Sequence, residues 1–172
     1  NRPKKVTFSD GSESENYLLN VISSAQDIST SSPELEAKIV DWPSQYHLSS
    51  VRHNLLRILN FSNVSNVLEI GAGCGGITRY LGENIPSVTA LEGSPSRAAI
   101  CKARTRDLEG VSVSIGNFEA YHTKEEYDLL TMVGVLEYFQ KITPILLALA
   151  YKGFIIIILQ LLLVSQRLRI SY

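Results

Sequence analysis

The sequence predicts an α/β protein built on a parallel sheet with helices on both faces. Three observations predict this class. From Ser65 onward, short apolar runs alternate with helical stretches. The first of these runs enters a glycine-dense turn at residues 71–76. The chain has 172 residues, of which 45% are hydrophobic and 19% are charged, as expected of one domain with one core. Alternating strands and helices place consecutive strands parallel, with right-handed crossovers.

The apolar runs of the second part of the chain are short and bounded by polar or glycine residues, which is typical of strands in such a sheet. Helical stretches follow the first two runs, and another is predicted around residues 145–151. Together they indicate a Rossmann-like architecture over residues 63–172. The five predicted strands are NVLEIG (66–71), SVTALEG (87–93), VSVSIGNF (111–118), the apolar part of YDLLTMVGVL (127–136) and FIIIIL (154–159).

The first third of the chain has a different composition. Residues 1–30 are rich in Ser, Asn, Asp and Glu, which predicts a weakly ordered polar segment. Residues 31–62 are predicted to form a helical cap or lid. One helix would begin at Pro33 and end before Pro43, and a second amphipathic helix would cover residues 51–59 with His53 facing outward.

The apolar stretch from Ile142 to Val164 is about as long as a membrane span. Pro144, Lys152 and Gln160 interrupt it, so a buried helix followed by a buried strand is favoured over a transmembrane helix. Only residues 160–172 follow the last predicted strand, too few for a pair of antiparallel strands. An uncovered apolar strand at a sheet edge can pair with a second copy, so a dimer through that edge is one expectation.

Charge and cysteine content exclude several classes of function. Sixteen Lys and Arg balance 17 Asp and Glu, so nothing in the net charge of -1 favours nucleic acid. Cys74 and Cys101 are separated by 26 intervening residues, and the three histidines are scattered, so neither a disulfide framework nor a metal site is expected. Free thiols and the polar start without a signal peptide are typical of a cytoplasmic protein.

The glycine-dense turn predicts a cofactor loop. Gly71, Gly73 and Gly75 lie between an apolar strand and a helix, where missing Cβ atoms allow a tight turn and close approach of a ligand. The pattern also satisfies the dinucleotide fingerprint, with Glu92 at the end of the next strand. Glu69 argues against a dinucleotide, because a carboxylate before the loop repels a pyrophosphate and attracts a cationic amino-acid group.

Residues 67–76 and 90–94 resemble the first two motifs of the class I S-adenosylmethionine-dependent methyltransferases, and the likeness extends from about Trp42 to Leu159. It is strongest to bacterial methyltransferase domains found beside glycosyltransferases and surface-polysaccharide enzymes. The resemblance implies the cofactor S-adenosyl-L-methionine. It also implies that Glu92, with Gly93, contacts the ribose hydroxyls, because a carboxylate has two oxygens that can accept hydrogen bonds.

The resemblance assigns further residues. Gly116-Asn117-Phe118 is similar to the third motif, in which Asn117 would meet the adenine amino group and Phe118 would pack on the ring, although the family more often has Asp at the first of these positions. The end of the fourth strand would bring Gly134 close to the cofactor. Glu137 and Tyr138 are candidates for acceptor contact or acid–base work, and neither is assigned as the catalytic base.

The expected function is methyl transfer to an oxygen or nitrogen of a small-molecule or glycan acceptor. Tyr46 and His47 are candidate lid residues, with ordinary packing as the alternative. Two other functions remain open at this point. One is an NAD-type oxidoreductase, which uses the same glycines. The other is a non-catalytic cofactor-binding or membrane-tethered remnant, which the short tail would explain.

Overall fold

The computed structural model describes residues 9–121, 123, 125–135 and 155–159. Its centre is a five-stranded sheet in the order β3-β2-β1-β4-β5, and every neighbouring pair is parallel. The predicted α/β class is confirmed. The chain leaves the central strand in opposite directions on its two sides, which opens a crevice at the carboxyl ends of β1 and β4. The strands are β1 Asn66–Ile70, β2 Ser87–Glu92, β3 Val111–Ile115, β4 Leu129–Val133 and β5 Ile155–Leu159.

Two helices connect the first three strands and cover one face of the sheet. α4 (Gly76–Asn84) joins β1 to β2, and α5 (Pro95–Arg104) joins β2 to β3. Leu81 of α4 packs with Val67 and Val88 in one buried cluster, while Cys101 of α5 packs against Ala90 in another. Because side chains two residues apart on a strand share a face, both helices lie on the same side of β2.

The other face of the sheet carries a separate apolar cluster. Leu68 and Ile70 of β1 pack there with Leu130 and Met132 of β4, and aromatic side chains lie against them. The helix predicted around residues 145–151, which would cover this face, lies outside the described residues. The tail after β5, residues 160–172, also lies outside the described residues, and the prediction that the final antiparallel strands are missing falls on it.

The amino-terminal segment contradicts the prediction of weak order. Residues Ser12–Ser24 form a 13-residue helix, α1, which packs along α5. Leu18 and Ile22 are at most 1% exposed. Arg106, just after α5, donates to the carbonyls of Ile22 and Ala25 at the end of α1. The polar composition concealed this helix because its fully buried apolar residues, Leu18 and Ile22, are few and lie among polar residues.

The cap region also differs from prediction. α2 begins at Pro33 behind an Ser32 cap as expected, but it spans only Pro33–Glu36. A new helix, α3 (Trp42–Leu48), then begins where Pro43 was predicted to end one. Asp41 explains the difference, since its carboxylate accepts from the Ser44 amide at 2.8 Å and forms a capping box. Proline is well tolerated in the first turn that follows such a cap.

The second predicted cap helix is absent from residues 51–59. This stretch forms a 3₁₀ turn at Arg52–Leu55 followed by further turns. Its apolar residues do not share a face, because Leu56 is fully buried whereas Ile58 is 87% exposed. His53 was expected to face outward, but it is buried and stacks on Tyr80 with ring centroids 4.9 Å apart.

The apolar tail contributes a strand. Ile155–Leu159 pairs with β4 as the outer strand of the sheet, as the β-branched run predicted. Within the ranges that the structure describes, no helix has the length and apolar character needed to cross a bilayer.

Candidate functional site

The glycine loop between β1 and α4 adopts the conformation that its composition predicts. Gly71, Gly73 and Gly75 have φ angles of 75°, 56° and 83°, a region that other residues rarely adopt. The amide of Gly71 donates to the carbonyl of Leu91 at 2.8 Å, so the loop is fastened to the end of β2. A Cβ on Gly75 would lie 2.9 Å from Cα of Cys101, which shows how closely the loop approaches α5.

The middle of the loop faces open space. A Cβ on Gly73 would have no heavy atom of the described residues within 4 Å, in contrast to Gly71, whose Cβ would overlap the side chain of Val135. The fold therefore requires glycine at positions 71 and 75, because a side chain there would overlap neighbouring atoms. The Gly73 position leaves room beside the backbone for a ligand.

Glu92 joins the two loops that were predicted to bind the cofactor. Its carboxylate accepts from the Gly73 amide at 2.7 Å and from the Ser94 amide at 2.8 Å. The side chain is only 5% exposed. Each carboxylate oxygen can accept more than one hydrogen bond, so Glu92 still has capacity for hydroxyl donors of a ligand.

Glu69 is a buried carboxylate on β1, 2% exposed. Burial raises its pKa to about 7, and the nearby charge of Glu92 adds to the rise, while Thr78 and Arg52 oppose it. Within the described part of the chain, its Oε2 atom has no hydrogen-bond partner, and neither has Oγ1 of Thr131. Glu69 and Thr131 are register partners on β1 and β4, so they share one face of the sheet. The site therefore contains two buried oxygen atoms, Oε2 of Glu69 and Oγ1 of Thr131, that have no hydrogen-bond partner among the described residues.

The loops after β2 and β3 also meet. A Cβ on Gly93 would lie 3.9 Å from the carbonyl oxygen of Gly116, which places the second and third motifs side by side. Asn117 is exposed, as a residue that contacts a ligand can be. Phe118 begins the 3₁₀ turn Phe118–Ala120 and packs against the apolar cluster of β1 and β4. Phe118 therefore packs against the core, whereas contact of Asn117 or Phe118 with adenine stays a prediction.

Tyr46 of helix α3 reaches the end of β4. Gly134 follows β4 with φ 67°, and a Cβ there would lie 3.2 Å from the hydroxyl oxygen of Tyr46. In this structure the group that lies close to Gly134 is therefore the side chain of Tyr46, a residue of the cap. Tyr46 also accepts a hydrogen bond from Arg52 at 2.8 Å. The structure brings Tyr46 to the crevice, in keeping with the lid role considered from the sequence.

A buried polar network ties α3 to α5 through the amino-terminal segment. Asp10 binds Nε2 of His47 at 2.9 Å and accepts from Arg97 at 2.7 Å. Burial lowers the pKa of His47, although Asp10 opposes that change, and the His47 contact lowers the pKa of Asp10. Arg97 also pairs with Glu15 of α1 at 3.4 Å. His47 is therefore a packing residue that holds the cap in place, the alternative considered from the sequence.

Sequence reasoning missed Arg52 and Asp10, because neither lies in a recognisable motif and both act through contacts that only folding creates. Glu137 and Tyr138, the candidates for acceptor contact, lie outside the described residues. In the described ranges, no group of three or more His, Cys, Asp or Glu side chains could hold a metal ion. Both cysteines are free and buried, and burial raises the pKa of each thiol well above its usual value.

Comparison with family models identifies residues 68–151 as a match to a methyltransferase domain. The matched range contains the last part of β1, the glycine loop, Glu92 and the strands β2 to β4. No curated protein matches the sequence.

Solved methyltransferases share the fold. One is phosphoethanolamine N-methyltransferase 1 of Haemonchus contortus, in complex with phosphoethanolamine and S-adenosylhomocysteine: the TM-score is 0.54 at 21% identity, over 83% of this chain and 29% of that chain. Another is the N-methyltransferase NodS of Bradyrhizobium japonicum WM9, in complex with S-adenosyl-L-homocysteine: the TM-score is 0.51 at 22% identity, over 81% of this chain and 65% of that chain. The chain thus spans less than two thirds of the length of either enzyme.

Proposed function

We propose that the chain carries a class I S-adenosylmethionine-dependent methyltransferase domain, which the family match over residues 68–151 supports, and that it transfers a methyl group to an oxygen or nitrogen of a small-molecule or glycan acceptor. When bound, S-adenosylmethionine supplies a methyl group already activated by the sulfonium. The task of the protein is then to align the acceptor and exclude water, and a base is needed only where the acceptor retains its proton.

The observation that carries the proposal is the buried carboxylate of Glu69. It lies next to the first turn of α4, through its contact with Thr78, and its Oε2 atom lacks a hydrogen-bond partner among the described residues. A dinucleotide would place its pyrophosphate at this helix start. A carboxylate disfavours that anion and favours an ammonium or sulfonium group. The residues present therefore fit the amino-acid end of S-adenosylmethionine better than they fit NAD.

The rest of the proposed cofactor site follows from the same geometry. Gly71, Gly73 and Gly75 form the loop beside the cofactor, and Glu92 with Gly93 would accept hydrogen bonds from the ribose hydroxyls. Asn117 and Phe118 would border adenine, and Gly134 would lie near the reacting methyl. The acceptor would enter between the end of β4 and the cap, beside Tyr46. The Haemonchus enzyme holds phosphoethanolamine, a small molecule, which supports a small acceptor here.

Calorimetric titration with S-adenosylhomocysteine and, separately, with NADH tests the proposal. We expect S-adenosylhomocysteine to bind and NADH not to bind. Binding of NADH alone would overturn the proposal in favour of the oxidoreductase function. Failure to bind either ligand would overturn the proposal and the oxidoreductase alternative together.

Replacement of Glu92 tests the ribose contact. Glu92→Ala should weaken S-adenosylhomocysteine binding by about 1–3 kcal/mol, because charge-assisted hydrogen bonds are lost. Glu92→Gln retains one acceptor oxygen and should lose less. Glu109→Ala removes an exposed carboxylate at the turn before β3 and serves as the matched control. An affinity unchanged in Glu92→Ala would reject the assigned role.

A further inference from the structure

Strand β3 forms one edge of the sheet. Among the described residues it pairs with β2 alone, so its outer side has no neighbouring strand there. Its register with β2 is continuous, without a bulge, and its sequence VSVSI contains neither a charged residue nor a proline. Proteins commonly use such features to protect an edge, because an exposed row of backbone donors and acceptors is a template for another strand. β3 lacks this protection.

The hydrogen bonds to β2 fix which backbone groups of β3 face inward. The Val88 amide donates to the Gly110 carbonyl at 2.9 Å, and the Gly116 amide donates to the Glu92 carbonyl at 3.0 Å. Backbone groups of successive residues in a strand alternate between its two sides. The even-numbered positions from 110 to 116 therefore direct their backbone groups towards β2.

The odd-numbered positions direct their backbone groups away from the sheet. Val113 and Ile115 each present an amide and a carbonyl on the outer side. The Val111 amide donates to the Leu108 carbonyl at 3.1 Å, so Val111 presents its carbonyl to a further strand. This arrangement of donors and acceptors is what an added β-strand recognises.

The side chains of β3 read the same in both directions. Val111, Val113 and Ile115 share one face, and the two serines share the other. Val113 packs with Ala90 and Cys101, so the apolar face lies towards α5. Ile115, at the end of this row, is 55% exposed. A second β3 strand, antiparallel and centred on Val113, would place apolar residues opposite apolar residues and serine opposite serine.

We propose that β3 pairs with β3 of a second copy of this chain, antiparallel about a two-fold axis at Val113. The Val113 amide of each copy donates to the Val113 carbonyl of the other, and each Ile115 amide donates to the Val111 carbonyl of the other. The interface is closed, because one copy occupies the whole edge. It lies at the opposite side of the sheet from the β5 edge that the sequence predicted.

The antiparallel arrangement leaves the candidate functional sites separate. The two β3 strands run in opposite directions, so the carboxyl ends of the two sheets point away from each other. Each copy therefore keeps its own crevice at the ends of β1 and β4. The inference does not depend on the reaction that the site performs.

Sedimentation of the full-length chain over a concentration series tests the interface, and we expect a dimer. Ile115→Pro removes an outward amide and keeps the bonds to β2, a change that edge strands tolerate. It should raise the dissociation constant of the dimer about tenfold or more, since both symmetry-related hydrogen bonds are lost.

A charge on the edge provides a second variant. Ile115→Lys keeps the amide and should also shift the equilibrium towards monomer, because a lysine on an edge strand opposes pairing. It decides the matter if Ile115→Pro fails to fold. Ile58→Lys makes the same change at a cap residue that is 87% exposed, and it should leave the dimer unchanged.

Cross-linking tests the register. The proposed pairing places position 112 of one copy opposite position 114 of the other, with Cα atoms about 4.5 Å apart, close enough for a disulfide. Mild oxidation of Ser112→Cys/Ser114→Cys should therefore link position 112 to position 114 of the second copy, as peptide mass spectrometry would show. Either single variant should cross-link poorly, and the native cysteines, which are buried, should not compete.

Three results would overturn the inference. The first is a chain that stays monomeric at every concentration. The second is a dimer that neither Ile115 variant weakens, or that Ile58→Lys weakens equally, which would place the interface elsewhere. The third is a disulfide that joins identical positions of the two copies, which would exclude a two-fold axis at Val113.

Discussion

At the residue scale, the two carboxylates of the site occupy different environments although both are buried. Glu92 has both of its oxygens engaged by loop amides. Glu69 has an oxygen without a partner among the described residues, and burial raises its pKa to about 7. Glu69 is therefore the carboxylate whose protonation should change near neutral pH, whereas Glu92 serves to connect the loops.

Glu69 should make the stability of the protein depend on pH. Between about pH 4.5 and 7 the folded state keeps a proton that the unfolded state releases, so the free energy of unfolding should fall as pH rises through this window. A shift of this size corresponds to about 3 kcal/mol. Glu69→Gln imitates the protonated side chain and should remove most of that dependence. Urea unfolding at pH 5 and pH 8 measures it.

The comparison at two pH values contains its own control, because Glu69→Gln leaves every other titrating group in place. If wild type and Glu69→Gln lose equal stability between pH 5 and pH 8, Glu69 does not titrate in this range. The charged form of Glu69 would then have to be stabilised by a contact outside the described residues.

At the element scale, the amino-terminal helix is part of the core and not an appendage. α1 places Leu18 and Ile22 in a cluster that also contains Leu35 and Leu48 of the cap, Cys74 of the glycine loop and Ile100 of α5. The polar residues of the same segment reach the same neighbours, through Asp10 and Glu15. The cap and the glycine loop therefore pack against the same apolar cluster.

Truncation of the apolar face of α1 should destabilise the protein. Leu18→Ala removes a side chain that is 1% exposed and should lower the free energy of unfolding by about 2–5 kcal/mol, from lost burial and the cavity left behind. Leu19→Ala, at the next position, removes a partly buried leucine and should cost clearly less. Urea denaturation compares the two. Equal small losses would mean that α1 does not dock in solution.

At the scale of the whole molecule, the cap and the sheet are joined by packing and by a polar network. Asp10 is 37 residues from His47 and 87 residues from Arg97, yet it contacts both. Arg104, buried in α5, donates to the His47 carbonyl at 3.4 Å. Long-range contacts of this kind couple the cap to the sheet, so both should unfold together.

Trp42, the single tryptophan, reports on the cap. We expect its fluorescence and the far-UV circular dichroism of the helices to give coincident urea unfolding curves. S-adenosylhomocysteine at a hundred times its Kd should move both curves together, by about 2.7 kcal/mol of added stability. A fluorescence transition at lower urea than the dichroism transition would show instead that the cap opens as a separate unit.

The sequence by itself determined the sheet and the conformation of the glycine loop. The five strands, the positive φ angles of Gly71, Gly73 and Gly75, and the position of Glu92 at a strand end all follow from local information. Apolar periodicity indicates strands, and only glycine adopts those backbone angles without strain. The cap was less predictable because capping by Asp41 outweighed the helix-ending tendency of Pro43.

Only the tertiary structure decided which distant residues meet at the site. The contacts of Arg52 with Tyr46 and the start of α4, of Tyr46 with Gly134, and of Asp10 with His47 depend on how helices pack on a sheet. Burial decided the rest, since it raises the pKa of Glu69 and leaves its carboxylate partly unsatisfied. Sequence periodicity records which face of an element is apolar, but it does not record which neighbour that face will contact.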